Sequence, residues 1–155
     1  AALCALVPVS SSREDAVQAA LDLIEKDSLA YEAVEVGIKY KNEPASNLHE
    51  YYGDMSPVHS LNNLAVVVWA FLSFQDSFDE AIGETICCGW DTDCTGATVG
   101  GLLGLDMGAI PESWTSPWQG RVQTAIAGVG ELDLDSLVRR TSTLVDKFSS
   151  VADLG

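Results

Sequence analysis

VHSLNNLAVVVWAFLSF, residues 58–74, decides the fold. Its β-branched run Val66-Val67-Val68 invites a strand. The apolar stretch is too long for one strand and shows no in-and-out alternation, so it reads as a buried helix. A helix that is apolar all round belongs in the middle of a domain. Toward the N-terminus, Asp54 to Pro57 is a turn and Pro44 opens a short helix ending near Gly53. Before it, another helix runs from about Leu29 to Tyr40. Ser12 caps one that begins Arg13-Glu14-Asp15 and presents Ala16, Val17, Ala20, Leu21, Leu23 and Ile24 as its apolar face. Residues 1–9, AALCALVPV, start inside a helix-like apolar run with no initiator Met.

Toward the C-terminus, Phe78 to Cys88 reads as a helix with Asp79 and Glu80 in its first turn. GWDTD, residues 89–93, reads as a loop. The helix expected at 94–107 carries Gly96, Gly100 and Gly104, with Gly108 just beyond. Each helical glycine costs roughly 0.8–1 kcal/mol relative to Ala. Glycines four apart therefore predict a close approach along that ridge, either plain helix packing or a central post whose N-terminus faces a ligand. IPESW, residues 110–114, is a short helix, and 121–130 has no clear signature. Leu134, Leu137, Val138, Thr141, Leu144, Val145 and Phe148 stripe a final helix that Asp133 or Asp135 can cap. The expected fold is all-α without a sheet, one domain over residues 1–155, with helices 58–74 and 94–107 most buried.

Composition bounds the function. The chain has 155 residues, 47% of them hydrophobic, with 23 Asp and Glu against 8 Lys and Arg and a formal net charge of -15. That balance excludes binding to nucleic acid through charge, which needs Lys and Arg on phosphates. It equally disfavours an anionic membrane surface. The longest apolar run, Leu64 to Leu72, is about half of the ~20 residues a membrane-spanning helix requires. Cys4, Cys87, Cys88 and Cys94 make no disulfide framework, which points to reduced thiols and a cytoplasmic setting. From Asn42 to Gly120 there is no Lys or Arg. An anion bound by this stretch would rest on backbone amides or a metal.

Asp91-Thr92-Asp93 is the strongest chemical signal. Two carboxylates two residues apart, ahead of a helix N-terminus and with no base nearby, suit a hard cation such as Mg²⁺, Ca²⁺ or Mn²⁺. The plain alternative makes Asp93 an N-cap. The run DTDCT also fits the D-x-D-x-T of haloacid-dehalogenase-like phosphatases. That motif needs a preceding strand and a downstream lysine and acidic pair, which this chain does not offer.

GWDTDCTGATVGGLLGLDMGAIPESW, residues 89–114, resembles the C-terminal metal motif of the ADP-ribosylglycohydrolase family in its crystallin-J1-like and bacterial members. The resemblance extends back through residues 58–82 and, more weakly, to AALCAL. It implies an irregular orthogonal helical bundle around a metal site with two Mg²⁺ ions, Mn²⁺ being possible. Asp91 and Asp93 fall on the family's carboxylate ligands and are its implied catalytic centre. The family places Thr or Ser next as a third ligand; here the residue is Cys94, a poor ligand for Mg²⁺, and Thr95 stands one position late. The remaining family ligands lie in an N-terminal acidic motif, so the chain is expected to be the C-terminal part of the fold. Alone, it is expected to bind Mg²⁺ weakly, to be inactive, and to associate with an N-terminal half or with itself.

His59, Asn62 and Asn63 lie within one helical turn and are expected to contact ribose hydroxyls, with hydrogen bonding inside the bundle as the alternative for the asparagines. Trp90 is expected to stack on adenine. Trp69, Trp114 and Trp118 are assigned to packing, and His49 to the surface. The implied function is Mg²⁺-dependent hydrolysis of the glycosidic bond of an ADP-ribosylated protein or small molecule. The alternative is a non-catalytic ADP-ribose-binding or structural crystallin-like protein of the same fold.

Overall fold

Serine caps set the helix starts. In the computed structural model, which describes residues 1–152, Ser12, Ser28 and Ser77 each accept a backbone N–H three residues on, at 3.0, 3.1 and 3.2 Å. Each such cap contributes about 1 kcal/mol. In chain order the helices are α1 (Ala2–Leu6), α2 (Arg13–Leu21), α3 (Leu29–Lys39), α4 (Ser46–Tyr52), α5 (Ser60–Ser73), α6 (Phe78–Cys87), α7 (Thr92–Met107), α8 (Glu112–Thr115) and α9 (Leu134–Ala152). The fold is all-α apart from one hairpin. Among the described residues no helix is long and apolar enough to cross a membrane. The chain divides into two compact units, Ala1–Ile110 and Pro111–Gly155.

In the first unit α5 is the central post. Nine of its 14 residues are buried, including Val66, Val67 and Val68. It packs on α3, α7 and α6, which is why its apolar character runs all round. Trp69 is buried, donates its indole N–H to the Glu43 carbonyl at 3.0 Å, and meets Phe74 edge-on.

The closest approach at any glycine of this unit was not visible in the sequence. A Cβ on Gly37 of α3 would stand 2.7 Å from Val68 Cβ and 2.8 Å from the Ala65 carbonyl oxygen. Both obstacles lie on α5, and one is backbone, so a methyl group there forces the helices apart. Gly37→Ala is therefore expected to destabilise by about 1–3 kcal/mol, although Ala gains roughly 1 kcal/mol of helix propensity. Denaturant midpoints check this; a variant as stable as the parent would mean that α3 and α5 separate without cost.

The glycine ridge of α7 behaves differently from expectation. Added Cβ atoms at Gly96, Gly100 and Gly104 would meet Ile86, Ile82 and Ile110 no closer than 3.4 Å, ordinary van der Waals contact. The ridge rests on α6 and Ile110 without requiring glycine. Nor is α7 among the most buried elements: it buries only Thr95, Val99, Leu102 and Leu103 along one face. The post is α5, and α7 lies beside it.

Arg13, at the start of α2, is buried. Its Nε donates to Asp106 at 2.8 Å, Nη1 to the Phe71 and Phe74 carbonyls, and Nη2 to the Gln75 carbonyl. The guanidinium lies 5.0 Å from the Phe71 ring centroid. One side chain thus satisfies the C-terminal carbonyls of α5 and joins α2 to the end of α7.

The second unit corrects the expectation of no sheet. β1 (Arg121–Gln123) pairs antiparallel with β2 (Glu131–Asp133), Val122 opposite Leu132. Three-residue strands offer too few positions for alternation to register. Asp133 then caps α9, accepting the Ser136 N–H at 2.8 Å. Trp114 and Trp118 are 37% and 48% exposed, so they are not core residues.

Candidate metal centre

The site is a turn between two helices. α6 ends at Cys87, and Gly89 and Trp90 follow with φ of 83° and 57°. Two successive left-handed residues reverse the chain before α7. Glycine adopts that conformation freely, whereas a bulky side chain there is a genuine outlier that its surroundings must hold. The helix begins at Thr92, two residues earlier than the sequence suggests, so Asp93 lies in its first turn rather than in a loop.

Asp91 occupies the N-cap position, yet its carboxylate makes no capping bond. Its backbone is held instead. The Asp91 N–H donates to Asn63 Oδ1 at 3.3 Å, and its carbonyl accepts the Thr95 N–H at 3.0 Å and the Thr95 hydroxyl at 2.9 Å. Ligand atoms of Asp91, Asp93 and Cys94 all lie within 4.8 Å of one another. Among the described residues neither aspartate pairs with a cation. Two adjacent carboxylates left free of capping and of counter-charge, at a helix N-terminus, fit a hard cation with oxygen ligands. The thiol fits less well. Hydrogen bonding to the Asp91 carboxylate, reinforced by the charges of Asp91 and Asp93, pushes the Cys94 thiol above its ordinary value and favours its neutral form. Thr95 does not replace it, because that residue is buried and its hydroxyl is directed at the Asp91 carbonyl.

The residues expected to contact substrate separate into three positions. Asn62 is fully buried, its amide donating to the Ser56 carbonyl at 3.2 Å and its Oδ1 accepting the Asn63 N–H. Its polar atoms are engaged inside the bundle, the alternative given for the asparagines. Asn63 is half-buried; its Nδ2 donates to the Pro57 and His59 carbonyls while its Oδ1 holds Asp91. His59 is exposed and caps α5, Nδ1 accepting the Leu61 N–H at 3.2 Å. The Asn63–Asp91 contact brings the start of α5 to the aspartate turn.

Trp90 is half-buried, and its ring is already engaged. His49 lies against it with ring centroids 4.1 Å apart, and Tyr52 meets it edge-on at 6.1 Å. His49 is exposed, as expected, but its Nε2 also stands 2.6 Å from the Cys88 carbonyl. Tyr52 is a further residue that the sequence did not single out. Burial pushes its phenol up to about 12, and its hydroxyl has no partner among the described residues. All four cysteines are free. Burial pushes the Cys88 thiol up to about 11, which leaves it neutral and unreactive.

Residues 1–148 match the family model described as ADP-ribosylglycohydrolase. No curated protein and no solved structure matches the chain.

Proposed function

We propose, because this chain belongs to the ADP-ribosylglycohydrolase family, that it serves Mg²⁺-dependent hydrolysis of the glycosidic bond in ADP-ribosylated proteins or small molecules. The observation that carries the reading is the pair Asp91 and Asp93, free of capping bonds and counter-charge, with ligand atoms gathered within 4.8 Å. These two carboxylates would hold the metal, Mn²⁺ being able to replace Mg²⁺ at oxygen ligands. A divalent ion there would supply Lewis acidity to oxygen, that of a ribose hydroxyl or of a bound water. Asn63 fixes the Asp91 backbone and so the direction of its carboxylate. The exposed His59 ring is the chain's candidate for a ribose hydroxyl, and Trp90 walls the turn while packed on His49 and Tyr52. Two carboxylates are few for two ions, and water and groups outside residues 1–155 would complete their coordination.

A second reading is favoured by one observation: Cys94 puts a thiol where the resembled family has a hydroxyl. On that reading the chain binds ADP-ribose, or serves as a structural crystallin-like protein, without turnover. Release of ADP-ribose from an ADP-ribosylated substrate, measured with and without Mg²⁺ in the protein that carries this chain, separates the two. Metal-dependent release supports the hydrolase, and binding without release supports the alternative.

Cys94→Ser restores an oxygen ligand beside Asp91 and Asp93. It is expected to tighten Mg²⁺ and Mn²⁺ binding by about tenfold or less, equivalent to roughly 1 kcal/mol. Isothermal titration with each ion checks this. Unchanged or weaker binding would place position 94 outside the metal's reach.

A further inference from the structure

We propose that His49 is a positioning residue for the Asp91 carboxylate, acting through the left-handed turn at Gly89 and Trp90. The inference rests on the reading of Asp91 and Asp93 as metal ligands. His49 sits on α4, 39 residues before Cys88. A carbonyl oxygen only accepts, so the 2.6 Å contact makes His49 Nε2 the donor to the Cys88 carbonyl. The same imidazole lies on the Trp90 ring, 4.1 Å between centroids and tilted 35°. Tyr52, one turn further along α4, also meets the Trp90 ring, edge-on at 85°. One face of α4 therefore grips the turn on both sides of Gly89, by the carbonyl before it and the ring after it.

That grip matters because the turn is not one that the local sequence favours. Trp90 holds a φ of 57°, where an L side chain crowds its own backbone. Released, it relaxes toward negative φ, and rotation there swings every atom that follows, beginning with Asp91. On the far side Asn63 Oδ1 holds the Asp91 N–H. The four residues 88–91 are thus fixed at one end by His49 and at the other by Asn63. His49 makes no contact with Asp91 or Asp93 of its own, so its effect on the metal site is indirect.

The ring and the donor can be separated by substitution. His49→Phe keeps a stacking ring and deletes the donor. His49→Gln deletes the ring and keeps an Nε2–H at similar reach. The protein that carries this chain and both variants of it are titrated with Mn²⁺ alone by electron paramagnetic resonance, and amide hydrogen exchange over 89–95 is followed without metal. His49→Phe is expected to weaken Mn²⁺ binding by about tenfold, the lower end of what loss of a partner bonded directly to a metal ligand costs. It should also speed exchange over 89–95 with the melting temperature little changed, and His49→Gln should recover most of both. Wild-type affinity and exchange in His49→Phe would overturn the inference, as would a Gln variant no better than Phe. Should His49→Phe lose global stability, His49→Gln decides alone: parental affinity supports the donor's role and a tenfold loss ends it. Failure of that parent protein to bind Mn²⁺ removes the metal reading instead, and the exchange measurements then settle the positioning by the same outcomes.

Discussion

Asp91→Asn is expected to abolish metal-dependent release of ADP-ribose by the protein that carries this chain, a fall of about a hundredfold or more, or at least roughly 2.7 kcal/mol in the barrier. The substitution is nearly isosteric, so it tests charge rather than shape. The Asp91 side chain makes no capping bond, and the bonds that hold its backbone come from Asn63 and Thr95. Folding stability should therefore stay within about 0.5 kcal/mol, the ordinary range for a surface change, and relief of repulsion from Asp93 acts in the stabilising direction. Mn²⁺ titration, ADP-ribose release and thermal melting are measured together. A variant that still binds Mn²⁺ and still releases ADP-ribose would reduce the pair to ordinary exposed acids.

Arg13→Ala is expected to be the most damaging single change to the fold, at about 2–4 kcal/mol, chiefly from backbone carbonyls left without a donor and from packing lost around a buried side chain. The loss has three parts. Asp106 loses its partner, the smallest part because that carboxylate is exposed to water. The carbonyls of Phe71, Phe74 and Gln75 lose their donor at the end of α5. The space over the Phe71 ring is vacated. Arg13→Lys should rescue little, because an ammonium lacks the planar fork that reaches acceptors in several directions at once. In thermal melts the midpoint falls by on the order of 10 °C for Arg13→Ala. A shift of about 2 °C or less, under 1 kcal/mol for a chain of this size, would show the clamp to be incidental.

Much of the first unit was legible because its signals are local. Ser12 announces a helix start within four residues, and the length of the 58–74 run outweighed its three valines. The aspartate pair was legible for the same reason: ligand spacing, helix start and absent bases are all read along the chain. What was missed depends on distant partners. Arg13 becomes a core residue only because the end of α5, some sixty residues on, lies against it. Gly37 looks like a weak helix position until α5 is laid across it. His49 looks like a surface histidine until the turn at Gly89 is brought under α4. The glycines of α7 failed in the other direction, since regular spacing suggested a close approach that the neighbouring isoleucines do not make. Asn62 and Asn63 carry the same side chain one step apart on a helix. That rotation sends one into the core and the other to the aspartate turn, and residue type cannot tell them apart.

The turn at Asp91 takes its shape from contacts that reach back 28 residues to Asn63 and 39 to His49. Such contacts form only after the intervening chain has closed its loops, and closure is what slows folding. Helices α4, α5 and α6 must therefore be assembled before Trp90 is held left-handed and the carboxylates converge. During refolding, helical signal should return before the aspartate pair is organised.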